Sequence, residues 1–394
     1  MENLAFSDKM EEYKTKAPKL KGQTMQKLFW VVLCLNASLL LAQEETLEDF
    51  IKLSQENLKK YSLAELMSFD PIKDKEELES YSEEIKGNSH RYLFLYHLSE
   101  LSVTQAKVLA QWEGINLFLN GVKQFDDATA KALAQWQGRK LELNGVQQID
   151  EATAKTLAQW QGRVLYLNGL QQFDEATVKA LAQWQGSYLY LNGVQQIDEA
   201  TAKAIAQWEG EWLELNGLQQ MDEATAKALA QWEGINLFLN RLQQMDATTA
   251  KALSQWKGEW LELNGVQELD EAMAKALTQC QGRFLYLNGV QELDEATAKG
   301  LAQWQGSFLY LNGVQELDEA TGKALACYKG HSLDLSKLQE IDEATGKALA
   351  QFLPSYLYLE GVKHLDESTA KALAQFKGTL FTTETISDQI NKFK

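Results

Sequence analysis

Eleven times in succession, from Leu117 to Phe376, the chain rewrites one 24-residue unit, L-x-L-N-G-V-x-x-(I/L/F/M)-D-E-A-T-A-K-A-L-A-Q-W-x-G-x-x. Asn120, Asn144, Asn168, Asn192, Asn216, Asn240, Asn264, Asn288 and Asn312 mark one column, with Ser336 and Glu360 in the same slot. Trp112, Trp136, Trp160, Trp184, Trp208, Trp232, Trp256 and Trp304 mark a second, continued by Cys280, Tyr328, Phe352 and Phe376. A degenerate unit from Leu93 to Gly114 extends the array in front, and Leu380-Phe381-Thr382 begins a truncated one behind. A fixed period of this length means a solenoid, in which each unit packs only on its neighbours. Constant positions then report packing, and variable positions report what the molecule touches.

Two periodicities alternate inside each unit. Leu117-Phe118-Leu119 reads as a short strand, with Leu117 and Leu119 on one face and Asn116 and Phe118 on the other. Asn120-Gly121 follows as a turn, a dipeptide that tolerates positive φ, although Arg241 and Lys337 replace the glycine in two units. Val122 and Phe125 are expected to point inward, and Asp126 to cap a helix running to about Trp136, with Gly138 in the left-handed position after it. Ala130, Leu133 and Trp136 fall on one helical face; Ala128, Ala132 and Ala134 keep the flanks thin; Glu151 before Lys155 exemplifies an exposed ion pair.

One strand and one helix per unit, always in that order, force parallel stacking. Strands stack at about 4.8 Å and helices at about 8–10 Å, so the array bends into an arc with its strands on the concave side. The fold class expected is an α/β solenoid of about 12 units over residues 91–378. No single unit buries enough apolar surface to offset its own ordering, so stability resides in the interfaces between units.

The L-x-L-N-G-V-x-x-L-D-E-A-T-A-K-A-L-A-Q unit resembles the leucine-rich repeat class, in particular near-identical arrays of secreted bacterial proteins, over about Leu93 to Phe381. It departs from the commonest consensus, in which Asn stands three residues after the second strand Leu; here Asn follows at once, so the usual asparagine ladder is not expected. The resemblance implies a recognition scaffold, most often for proteins, and no chemistry or cofactor.

The ends differ in kind. Leu28 to Ala42 is a largely apolar stretch preceded by Lys27, too short to span a bilayer comfortably and suited to a secretory leader cleaved after Ala42. Residues 1–42 thus form an extension and signal peptide, with Met25 as an alternative start. An uncleaved 28–42 segment acting as a membrane anchor is the alternative. From Gln43 to about residue 90, Leu47, Phe50, Ile51, Leu53 and Leu58 share one side of a helix, and the region reads as a helical amino-terminal cap. Residues 379–394, with a Thr run and no repeat helix, would close the other end. The expected location is secreted, periplasmic or in the cell envelope.

A net charge of −17 spread through the units repels nucleic acid and anionic lipid. Past the leader only Cys280 and Cys327 remain, two units apart and too distant for a disulfide, with Cys280 in a core aromatic slot. The histidines His90, His97, His331 and His364 recur with no metal-ligand spacing. The Asp column from Asp126 to Asp366 is explained by helix capping rather than calcium, and no phosphate-binding or nucleophile motif is present, so no enzyme and no cofactor are expected.

Function must then reside in the two columns that flank the central strand Leu. One reads Phe94, Phe118, Glu142, Tyr166, Tyr190, Glu214, Phe238, Glu262, Tyr286, Tyr310, Asp334 and Tyr358; the other includes Tyr188, Trp212, Trp260, Phe284, Phe308 and Tyr356. Large exposed apolar areas rimmed by charge mark interaction surfaces, and Tyr, Trp and Phe anchor them. Tyr166, Tyr188, Tyr190 and Trp212 form one candidate patch and Phe284, Tyr286, Phe308 and Tyr310 a second, with Glu214 and Glu262 as a negative centre. The expected function is non-enzymatic binding of a protein partner; a glycan bound on the same rings is the alternative. Two further possibilities carry less weight, a ladder whose rings stack only on one another and a Glu214–Glu262 hydrolase pair.

Overall fold

The computed structural model describes residues 91–394 apart from His97, Phe125 and Pro354. The expected leader over 28–42, the start at Met25, the cap over 43–90 and the inward turn of Phe125 lie outside the described residues. The chain divides into Met1–Leu93 and Phe94–Lys394, and of the first unit only Arg91, Tyr92 and Leu93 are described.

Thirteen three-residue strands, from Tyr92–Phe94 to Thr379–Phe381, form one sheet in chain order. From Asn116–Phe118 onward each neighbouring pair is parallel and in register, Leu117 against Leu141 and Phe118 against Glu142 at the first step. A helix follows every strand. The architecture is an α/β solenoid, with each strand feeding a turn, a descending arm and a helix.

The core follows from side-chain parity. Leu117, Leu119, Val122, Ala130, Leu133 and Trp136 are all fully buried, and the same columns repeat along the array. Asp126 opens the helix Asp127–Leu133 by accepting from the Thr129 backbone N–H at 2.8 Å, and that bond holds its carboxyl below the usual range. Of the alanines expected to thin the flanks, Ala132 and Ala134 are buried and Ala128 faces solvent. The Glu-to-Lys pair forms at Glu199–Lys203 and Glu271–Lys275, each at 2.5 Å, and in three later units, all at exposed side chains.

Three details depart from the sequence expectation. The helix stops at Leu133 rather than near Trp136, because the backbone tightens there: Ala134 is the C-cap, and the Trp136 N–H bonds back only three residues, to Leu133 at 2.9 Å. That tightening swings the indole inward. The glycines do not supply left-handed backbone, since none of those described has a φ in that region. They supply space. A Cβ at Gly138 would lie 1.9 Å from the Trp136 ring, and one at Gly145 would lie 2.2 Å from the Asn120 carbonyl oxygen of the preceding unit.

An asparagine ladder does form, in a place of its own. Asn120 Oδ1 accepts from the Asn144 backbone N–H at 3.1 Å, and the pattern continues through Asn168, Asn192 and Asn216 up to Asn312. The side chains are half-buried at the strand-to-turn edge. Only one amide oxygen is needed per step, so a ladder forms wherever the Asn column is in register.

Tryptophan fills the space between strand and helix. Successive rings from Trp112 to Trp256 lie 5.7 to 6.0 Å apart and within 12° of parallel. Their spacing exceeds the ~4.8 Å of strand pairing. Trp136 Nε1 donates to the Trp112 carbonyl at 3.0 Å, and Trp160, Trp184 and Trp232 repeat the bond one unit on each time. At the two 6.0 Å steps, Trp184 to Trp208 and Trp232 to Trp256, the later indole N–H is left without a partner. Cys280 interrupts the column; it is a free buried thiol, its pKa pushed up to about 12 by burial, and Cys327 is free and exposed.

The carboxy-terminal segment is more ordered than its sequence implies. Thr379–Phe381 pairs with Tyr356–Tyr358, and a helix over Glu384–Asn391 buries Ile386 and Ile390. Leu380 aligns with Leu357, so register alone extends the sheet by one strand after the repeat signature has faded.

Candidate functional site

Because alternate strand residues face opposite ways, every buried Leu leaves its two flanking residues on the solvent side of the sheet. Tyr166, Tyr188, Tyr190, Trp212, Glu214, Trp260, Glu262, Phe284, Tyr286, Phe308, Tyr310, Tyr356 and Tyr358 all lie there, each half-buried. Phe238 is the exception. It is buried to 5 % exposure because it stacks on Trp212 at 4.4 Å on one side and meets Trp260 at 6.2 Å on the other, so it supports the face rather than presenting itself.

The rings form a ladder. Tyr166 and Tyr190 stack at 3.8 Å between centroids, as do Tyr286 and Tyr310, while Phe284 and Phe308 stack at 4.6 Å. Burial, a hydroxyl hydrogen bond to the neighbouring tyrosine and the carboxylates on either side hold the Tyr166 and Tyr286 phenols far above their ordinary range. Tyr188 and Trp212 meet at 5.8 Å, so the first patch expected from sequence is contiguous. The second is tighter: Trp260 contacts both Phe284 and Tyr286, at 4.9 and 5.1 Å.

The acids prove to be clamped rather than free. Glu214 accepts from Asn192 Nδ2 at 2.8 Å, Trp212 Nε1 at 3.0 Å and Asn216 Nδ2 at 3.3 Å. Glu262 repeats the set with Asn240, Trp260 and Asn264 at 2.8, 2.8 and 3.4 Å. Both oxygens of each carboxylate accept hydrogen bonds, so each acid is held in place by its neighbours. Glu142 is held by Asn120 and by Lys140, whose Nζ lies 2.8 Å away. The signal was present in sequence as W-L-E-L-N and K-L-E-L-N, a donor two residues before each Glu and an Asn two after.

Four further residues bear on this face outside the candidate set. The Lys140 ammonium sits 4.7 Å from the Tyr166 ring centre and 5.1 Å from that of Phe118. Arg163 and Arg283 lie over Tyr188 and Phe284 at 5.4 and 5.6 Å. Asp334, buried beside Ser332, accepts from the Ser336 N–H at 3.0 Å, and burial raises its pKa.

The sheet face is open, and two grooves lie elsewhere, one along the helix starts and one beside the turns. One, of about 1090 Å³, is lined by Met221, Met245 and Met273 together with Asp222 and Asp246; the other, of about 490 Å³, by Asn, Gly and Gln of the turn columns. Among the described residues no cluster of three or more His, Cys, Asp or Glu could hold a metal ion, and no helix is long and apolar enough to cross a membrane.

No protein-family model matches the chain, and no curated protein matches it. Among solved structures it is similar to an internalin from Listeria monocytogenes, at 17% identity and a TM-score of 0.46 over 86% of this chain and 92% of that one. It is also similar to TLR13 in complex with ssRNA13, at 18% identity and 0.46, and to the Drosophila Toll–Spatzle complex, at 11% identity and 0.43. The matches cover 74% and 71% of this chain and span less than half of those two, 41% and 46%.

Proposed function

We propose that the protein is a non-enzymatic, exported recognition scaffold that binds a protein partner along the aromatic and acidic concave face. The observation that carries this is the series of rings, most of them half-buried and punctuated by carboxylates, on the solvent side of the sheet, a surface whose central strand residues are entirely apolar and inward. Aromatic side chains with fixed rotamers lose little entropy on binding and bury large areas, as interface anchors do. Glycan binding is the weaker reading, because a sugar needs an open ring face, and at 3.8 Å Tyr166 and Tyr190 cover each other's faces and offer edges and hydroxyls instead.

The test compares the exported form with a Tyr188→Ala, Tyr190→Ala, Trp212→Ala variant in crosslinking to cell-surface protein extracts and on a glycan array. Loss of a specific crosslinked protein in the variant supports the reading; undiminished capture moves the site off this face, and an array signal without a crosslink makes it a lectin. Export is checked by fractionating cells that express the chain from Met25. Recovery outside the cytosol with Gln43 at the amino terminus is the expected result, and an intact cytosolic product overturns it.

A further inference from the structure

The face carries a longer period than the unit itself. From Phe118 the outer column reads Phe118, Glu142, Tyr166, Tyr190, Glu214, and 120 residues later it reads Phe238, Glu262, Tyr286, Tyr310, Asp334. The other flanking column and the residue before each strand follow it only in part: Ile115, Arg163 and Ser187 recur as Ile235, Arg283 and Ser307, while Arg139 and Glu211 stand five units from Glu259 and His331, and Lys140, Val164 and Trp212 from Trp260, Phe284 and Ser332. The five-unit period is thus a property of the outer column.

Geometry repeats with it. Each half holds a tyrosine pair stacked at 3.8 Å, framed by Glu142 and Glu214 in one case and by Glu262 and Asp334 in the other. In each half an Asn of the preceding unit pins the first acid at 2.8 Å, Asn120 to Glu142 and Asn240 to Glu262. Arg163 and Arg283, themselves five units apart, pair with glutamates in opposite directions along the array, Arg163 with Glu211 two units later at 3.8 Å and Arg283 with Glu259 one unit earlier at 3.9 Å. Five strands at about 4.8 Å put the two tyrosine pairs about 24 Å apart.

We propose that the concave sheet is bivalent: it carries two related sites, centred on the acid-framed Tyr166–Tyr190 and Tyr286–Tyr310 pairs, for a protein that presents the same basic segment twice. This rests on the protein-binding reading above. The basic character follows from what the face already accepts. Lys140 lies against two rings and a carboxylate, Arg163 and Arg283 lie over rings, and the net charge of −17 draws cations from a distance. A partner's Lys or Arg entering between a tyrosine edge and a framing acid makes the same contacts.

The probes are two synthetic peptides, one with a single alternating Lys-Arg block and one with two blocks joined by a Gly-Ser linker of about 20 residues, whose r.m.s. length matches the span. In titration calorimetry the single block binds twice per chain, and the tandem peptide binds once and at least about tenfold tighter, because its second contact is intramolecular. Tyr166→Ala with Tyr190→Ala, or Tyr286→Ala with Tyr310→Ala, reduces the single block to one per chain and removes the tandem advantage. Glu142→Gln with Glu214→Gln keeps the ring stack and weakens one site severalfold, which covers the case of an unfolded Ala variant. One single block per chain, or two with no gain for the tandem peptide, overturns bivalence and leaves the concave-face reading standing. No binding of either peptide overturns the basic partner, while the crosslinking comparison decides the face independently.

Discussion

Two aromatic ladders run the length of the array, one beneath the helices and one on the open sheet, and they obey different rules. The inner rings keep one residue type from Trp112 to Trp256, with spacings within 5.7 to 6.0 Å and planes within 12°. The outer rings alternate Tyr, Phe and Trp with acids, and their neighbour distances spread from 3.8 Å at Tyr166–Tyr190 to 6.2 Å at Phe238–Trp260. Uniformity marks the ladder that packs the interior, and variation marks the ladder proposed to meet a partner.

The sharpest way to break this contrast is to truncate one ring in each ladder. Trp184→Ala removes a fully buried indole that also donates to Trp160, and its expected cost is about 3–5 kcal/mol in equilibrium denaturation. Next comes Gly186→Ala, whose Cβ would meet the Trp184 ring at 2.0 Å, for an overpacking cost of about 1–3 kcal/mol. The same change at Gly282, where Cys280 leaves no ring and the nearest atom is the Glu259 carbonyl oxygen at 2.9 Å, costs less, and equal costs at both sites would refute the account of these glycines. Cys280→Trp restores the column and raises stability by about 0.5–2 kcal/mol, as consensus replacements do, visible as a higher Tm. Tyr190→Ala costs under about 1 kcal/mol, since only a cross-strand pair is lost, while partner binding falls.

The mildest effect per residue is titration of the helix caps. Asp150, Asp198 and Asp222 all have pKa values lowered by hydrogen bonds from the Thr three residues on, so they bind protons more readily unfolded than folded. Their contribution is fully present above the unfolded value near 3.8 and is lost as pH falls through the lower folded values. Thermal melts should therefore be flat in these groups at neutral pH and decline on the acid side, and Asn at these caps should flatten the decline.

Most of the fold was legible because each unit repeats one hydrophobic pattern in register. Strand parity around Leu117 and Leu119, the Asp126 cap and the inner face of Ala130, Leu133 and Trp136 all follow from spacing alone. The end of the helix did not, since Ala134 and Gln135 favour helix and only the demand of the indole for the interior tightens the turn there. Gly138 was misjudged for a related reason: a sequence cannot distinguish glycine needed for φ from glycine needed for room. At the candidate site, ring positions were legible and their accessibility was not. Phe238 is covered because large rings happen to occupy the flanking strands, and Glu214 is satisfied because Asn192 of the unit before reaches it. Both depend on pairs of columns.

The indole bonds run one way only, each Nε1–H reaching back to the carbonyl of the unit before it. A polypeptide leaving the ribosome amino end first therefore offers each newborn repeat that makes this bond an acceptor already in place.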